Sequence, residues 1–258
     1  MIGLIQQRVH YFFTWNFRNP WLRQVLILLL PNALAVGVAS VSDVIDTNFS
    51  SMLQDPSSLA ALQNAKLLQV LPVALVAVVA QSLLPQLTIH ASAGQFVRMR
   101  QMACKVMGVA TLFTLPCLVA FIILGRPLIY LLFRHGEFTH HAAELTYLCL
   151  VGYVFAIPGL AMTSLIPAGF YALQDALTPF LSNLFALLLH VALLYLLFRV
   201  IQGPAIILAL PLSLVGSSTV EAVVQALLLF YRLHRRIPLD EGMRRLQRRR
   251  LSQAQAKE

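Results

Sequence analysis

Residues 59–89 read LAALQNAKLLQVLPVALVAVVAQSLLPQLTI, about thirty mostly apolar residues interrupted by a single cation, Lys66. About 20 apolar residues are enough for a helix to cross the hydrocarbon core of a bilayer, so this stretch is long enough to span. A cation at the centre of a bilayer costs roughly 2.5–3.5 kcal/mol on insertion scales. Two readings of Lys66 are open. It faces a water-filled cavity, where it can meet an anion. Or, lying only about eight residues from the start of the run, it snorkels to the interface.

Five further runs of the same kind lie at about 24–53, 103–124, 142–166, 177–201 and 204–233. The 258-residue chain is 59% hydrophobic and 11% charged, with a mean hydropathy of +0.76. Soluble domains carry about 25% charged residues. The expectation is an all-α membrane protein, a six-transmembrane-helix bundle. Residues 24–235 would form the membrane lobe, between an N-terminal segment (1–23) and a basic tail (236–258). Six spans leave short loops and no room for a soluble catalytic domain. The first run follows aromatic and basic residues, which is not the pattern of a cleaved signal peptide.

The basic residues set the expected orientation. Arg8, Arg18 and Arg23 precede the first span, and Arg98, Arg100 and Lys105 lie between the second and third. Nine more follow the sixth, Arg232 to Lys257. The opposite side holds Arg126, Arg134 and Arg199, a tally of fifteen against three with Lys66 set aside. Both termini are therefore expected in the cytoplasm. The net charge of +9 reads as this topology signal, and no nucleic-acid partner is expected. Residues Glu241 to Leu251 read as a basic helix suited to an anionic leaflet surface.

Cys104, Cys117 and Cys149 are isolated in apolar runs, so neither a disulfide framework nor a zinc site is indicated. His140 and His141 read as a solvated pair, and no metal or cofactor is expected. There is no glycine-rich phosphate loop, GxSxG or HExxH, so the chain is not expected to be an enzyme. Ser213, Ser217 and Ser218 lie on an apolar run and read as packing residues.

The first span is the most polar. Asn32, Ala39, Asp43, Asp46 and Ser50 recur at steps of three, four or seven, which places them on one helical face. Two carboxylates do not suit a lipid-facing surface, so this face looks into water or onto another helix. The loop to the next span is short, so an Asp46–Lys66 ion pair is within reach. Glu221 is a third intramembrane acid, and Asn183 and His190 add polarity to the fifth span. Pro31, Pro72, Pro85, Pro116, Pro158, Pro167 and Pro211 fall in or near helical runs, a density that fits the broken helices of transporters.

Four stretches, in order, resemble the MurJ/MviN lipid II flippases. LPNALAVGVASVSDVIDTNFSSML (30–53) resembles that family's seventh helix, and LQNAKLLQVLPVALVAVVAQSLLPQL (62–87) its next helix. PLIYLLFRHGEFTHHAAELT (127–146) resembles the family's "lFgrGaFt" loop, and GFYALQDALTP (169–179) its "FYAlqDtrTP" turn. The resemblance covers about residues 20–235. It implies one lobe of the multidrug/oligosaccharidyl-lipid/polysaccharide exporter superfamily, in which two six-helix lobes surround a cavity and work by alternating access. The implied activity is transport of a polyprenyl-diphosphate-linked cell-wall precursor, lipid II, across the cytoplasmic membrane for peptidoglycan synthesis.

Carried over by position, Asp46 matches the family's acid late in the seventh helix, and Lys66 matches its cavity-facing arginine. Lys66 keeps the charge without the bidentate fork. Ala65 stands where the family pairs an aspartate with that arginine, and Ala168 where many members have an arginine. The implied substrate-binding set is Lys66, Asp46, Asp43, Asn32 and Glu221, facing the lipid-linked diphosphate. Only the second lobe is matched; the first lobe and the last two helices of the family have no counterpart here. The chain is thus expected to be a fragment, a half-transporter completed by a second lobe or by a homodimer, or a relic. The alternatives are a non-transporting membrane assembly partner and, less favoured by the loop motifs, a MATE-like cation-coupled antiporter.

Overall fold

The computed structural model describes the backbone of residues 20–53, 57–133 and 139–255, and the side chains of 29–30, 33–53, 57–133, 139–203 and 205–237. Among these residues every regular element is helical. They are α1 (Pro20–Ser51), α2 (Ser57–Ser92), α3 (Phe96–Phe133), α4 (His140–Val154), α5 (Ile157–Ala172), α6 (Leu177–Val200), a 3₁₀ segment (Gly203–Leu208) and α7 (Ala209–Gln255).

The six apolar runs map onto this order, with one difference. The run at 142–166 is not one straight helix: α4 and α5 meet at 48°. Pro158 stands in the first turn of α5. It has no N–H to bond the carbonyl four residues back, on Val154, and its ring clashes there. Four helices (α2, α3, α6 and the apolar part of α7) are long and apolar enough to cross a membrane, or five spans if the bent pair is one. At 32 residues α1 is also long enough. Pro72, Pro85, Pro116, Pro127 and Pro167 lie inside their helices. The long α7 continues to Gln255, through the stretch expected as a tail; the side chains of Glu241–Leu251 lie outside the described residues.

The exterior is apolar. Leu67, Leu71, Leu75, Leu112, Ile123 and Leu131 are each more than half exposed. Apolar side chains this dense on an outer surface face lipid, not water. Two buried clusters hold the bundle together. One joins α2, α3, α5 and α7 through Leu87, Phe96, Met99, Phe170 and Leu229. The other joins α2, α3, α4, α6 and the start of α7 through Leu68, Ile129, Tyr153, Leu194 and Leu210. Ala65 belongs to the second cluster and Ala168 to the first, so neither of these departures from the family pattern opens into a cavity.

Hydrocarbon offers no hydrophobic drive between helices, so contact relies on close packing of small residues. A Cβ on Gly159 would stand 2.9 Å from Ser218 Oγ and 3.1 Å from the backbone of α7, which fixes how near α5 can lie to α7. The turn between α5 and α6 is tied down by Asp175. Its Oδ1 accepts from the Thr178 amide (3.1 Å) and its Oδ2 from the Thr178 hydroxyl (2.7 Å) and the Arg232 guanidinium of α7. Gln174 takes the left-handed conformation (φ 60°) needed to reverse the chain.

Candidate functional site

The site is built on two helices that follow each other in the chain. α1 and α2 are joined by a short connection, and Asp43 and Asp46 lie three residues apart, on the same face of α1. Lys66 stands two and a half turns into α2. Its Nζ lies 2.5 Å from Asp43 Oδ1 and 3.4 Å from Asp46 Oδ2. The same Asp46 reaches a third helix: its Oδ1 accepts a hydrogen bond from His190 Nε2 of α6 at 2.8 Å. The result is a chain of four titratable groups, Asp43–Lys66–Asp46–His190, across α1, α2 and α6.

Exposure grades along this chain. The Asp43 side chain is 67% exposed and Lys66 33%, whereas Asp46 is 12% and His190 3%. Asp43 and Lys66 therefore form the open end and His190 the closed end. A carboxylate with two cationic or N–H partners is satisfied at its buried side.

Two cavities meet at the cluster. One, of about 180 Å³, lies toward the α1–α2 connection and is also lined by Thr47, Ser50, Gln63 and Tyr153. The other, of about 350 Å³, runs between α1, α2, α5, α6 and α7. Asp43, Asp46 and Lys66 line both cavities. The larger one also takes in Gln69, Thr163, Asn183, His190, Ser217 and Glu221. Glu221 is held by Gln225, whose Nε2 donates to Oε1 at 2.9 Å. Ser217 and Ser218 donate back to the Leu214 and Val215 carbonyls, and both still line the cavity besides packing.

Of the residues singled out in the sequence, Lys66, Asp43 and Asp46 are thus in direct contact, and Glu221 lines the same cavity without touching them. The side chain of Asn32 lies outside the described residues. Two residues were missed as members of the site. Gln69 follows Lys66 by three positions, so helical spacing alone could have placed it on the same face. Its Nε2 is buried without a hydrogen-bond partner. His190 was visible only as polarity in an apolar run.

A bundle of apolar-skinned helices, with one span broken by proline and a polar cavity walled by ion-paired helices, defines an all-helical membrane protein built like one lobe of a MATE-type exporter. Solved structures have the same architecture. A MATE in a bent conformation superposes with a TM-score of 0.79 at 13% identity, over 92% of this chain and 52% of the other. A lipid II flippase MurJ in an inward closed conformation superposes with a TM-score of 0.65 at 22% identity, over 90% of this chain and 50% of the other. The family model described as lipid II flippase MurJ matches residues 1–248, and the chain belongs to that family.

Curated relatives agree. A probable lipid II flippase MurJ of Rhizobium meliloti is 29% identical over 228 residues, covering 83% of this chain and 39% of its own length. The lipid II flippase MurJ of Burkholderia cenocepacia is 29% identical over 166 residues, covering 63% of this chain and 31% of its own. The chain thus spans well under half the length of these relatives.

Proposed function

We propose that this chain is one lobe of a transporter that moves a polyprenyl-diphosphate-linked lipid across the cytoplasmic membrane, by alternating access with a second lobe. The observation that carries this reading is Lys66, an ammonium held at the mouth of a polar cavity inside an apolar bundle. Its partial exposure leaves a face of the ammonium for an incoming phosphate oxygen. Asp43 and Asp46 hold Lys66 in place while the cavity is empty, and a diphosphate takes over part of that role when it binds. Glu221, Gln69 and Asn183 give the headgroup further polar contacts deeper in the cavity.

The lobe needs a partner because Asp43, although paired with Lys66, presents a carboxylate left two-thirds exposed among the described residues. A charge left facing hydrocarbon is unfavourable, so a second lobe or a second copy closes over α1. The distribution of basic residues supports cytoplasmic termini.

Binding of a polyprenyl diphosphate to the chain in nanodiscs tests the reading. Lys66→Ala weakens binding about tenfold or more, the equivalent of one lost charge-assisted hydrogen bond. Lys66→Arg preserves or strengthens it, because a guanidinium forks onto phosphate oxygens. Unchanged affinity in Lys66→Ala would remove the basis of the proposal. Three carboxyl groups around one cavity favour a second reading, a cation-coupled antiporter. There an organic cation binds in place of the diphosphate, and Asp46→Asn abolishes its binding.

A further inference from the structure

We propose that the Asp46–His190 pair is a proton-binding site whose occupancy controls how freely Lys66 can take an anion; this rests on the reading of Lys66 given above. Three observations carry it. First, His190 uses Nε2–H toward Asp46 Oδ1, which leaves Nδ1 as a lone pair, and that atom is buried without a partner. The imidazole is thus a base with a carboxylate already in place to stabilise its cation. Second, Asp46 is shared: Oδ1 faces His190 and Oδ2 faces Lys66. Third, Asp46 lines both cavities and His190 the larger one, so water has a route to the pair through its carboxylate from either side.

The charge balance follows directly. With His190 neutral, Asp43, Asp46 and Lys66 sum to one negative charge, and Asp46 is countered by Lys66. One proton delivered by cavity water to the pair makes it internally neutral, whether it rests on the imidazole or on the carboxyl. The four-group chain then carries no net charge. Asp46 loses its hold on Lys66, already the longer of the two contacts at 3.4 Å, and the ammonium is left to Asp43 alone. Asp43 is exposed at the cavity mouth, where an incoming diphosphate competes for the same ammonium. Proton uptake and anion binding thereby assist each other, and linkage makes the assistance reciprocal.

The titratable and polar groups that line the cavity with His190 include Asp43 and Asp46 on α1, Lys66 and Gln69 on α2, Thr163 on α5, and Ser217, Ser218 and Glu221 on α7. Glu221 is bonded to Gln225 and not to the pair. It is the one other acid in the cavity, so its contribution is separated by repeating each measurement in Glu221→Gln.

Two measurements on the chain in nanodiscs decide the matter. In the first, polyprenyl diphosphate affinity is followed between about pH 5 and 8, the range in which histidine titrates. The native chain binds about tenfold more tightly at the acid end, with proton uptake on binding seen by a pH dye, and the dependence persists in Glu221→Gln. In His190→Gln, which keeps an N–H donor for Asp46 but has no basic nitrogen, affinity no longer varies with pH. Affinity that is flat with pH in the native chain, or equally pH-dependent in His190→Gln, overturns the proton site and leaves the Lys66 reading standing. Absence of binding at every pH overturns the Lys66 reading instead.

The second measurement needs no ligand. The ¹⁵N-histidine NMR signal of His190, assigned by its loss in His190→Gln, reports proton uptake by the pair, and its response to pH differs between the native chain and Asp46→Asn. A His190 signal that does not respond to pH, or responds identically in Asp46→Asn, overturns the proton site on its own.

Discussion

Asp43 and Asp46 both face Lys66, yet the physical consequences of losing them differ. Asp46→Ala removes the acceptor of a buried imidazole and leaves His190 with no partner at either nitrogen, a cost of about 1–3 kcal/mol. Asp43→Ala removes an exposed partner while Lys66 keeps Asp46, so its cost is about 0–1 kcal/mol. Thermal melting in detergent should therefore rank Asp46→Ala well below Asp43→Ala; the reverse order would mean that the pair at the cavity mouth, not the buried one, supports the fold. The charged members of this cluster were legible because a charge inside an apolar run is conspicuous, and a three-residue spacing on a helix fixes the face. The partnership of Asp46 with His190 was not, since the two are 144 residues apart and only the packing of α6 on α1 joins them. Gln69 was within reach of the same argument, three residues from Lys66, but an uncharged amide is less conspicuous in an apolar run than a charge.

At the scale of elements, two contacts decide how the helices are held. Gly159 lets α5 lie against α7, and Gly159→Leu forces a side chain into the Ser218 backbone, costing about 1–3 kcal/mol by overpacking. The loss should appear as a lower melting temperature, with Gly37→Ala, which meets nothing within 4 Å, as the control that does not lower it. Asp175 closes the turn between α5 and α6 and joins it to Arg232 on α7. Asp175→Ala therefore loses a helix-capping contact and an ion pair together, about 1–2 kcal/mol, while Asp175→Asn keeps one acceptor oxygen for the Thr178 amide and loses less. An Asp175→Asn protein as unstable as Asp175→Ala would place the whole effect in the Arg232 pair. Run lengths gave the helices, because length and hydropathy are all a bilayer demands of a span. The bend between α4 and α5 was concealed within an unbroken apolar run. Pro158 marked the place, but a proline in a membrane helix kinks only where the neighbours let it, and those neighbours belong to the tertiary structure.

For the whole molecule, the basic residues predict which way the bundle sits. Single cysteines at Pro56→Cys and Gly242→Cys report the two sides of the membrane. Impermeant thiol reagent added outside intact cells should label position 56 and spare position 242, and the opposite pattern would invert the topology. The bundle presents α1, with Asp43, to whatever completes the site. Reconstituted alone in liposomes, the chain should either dimerise or fail to translocate a fluorescent polyprenyl-diphosphate lipid; a stable monomer that translocates it would end the two-lobe account. The central claim is that Lys66 lines a water-filled cavity that receives a diphosphate. Its most direct test replaces Cys104, Cys117 and Cys149 by alanine, places a cysteine by Lys66→Cys, and follows its reaction with a water-soluble thiol reagent. Because this substitution removes the ammonium, the lipid is supplied at saturating concentration, so that the remaining polar contacts and the bulk of the headgroup still fill the cavity. The account predicts prompt modification at position 66, slowed by polyprenyl diphosphate and not by the corresponding polyprenol. No modification, or modification that the diphosphate lipid leaves unchanged, would contradict it.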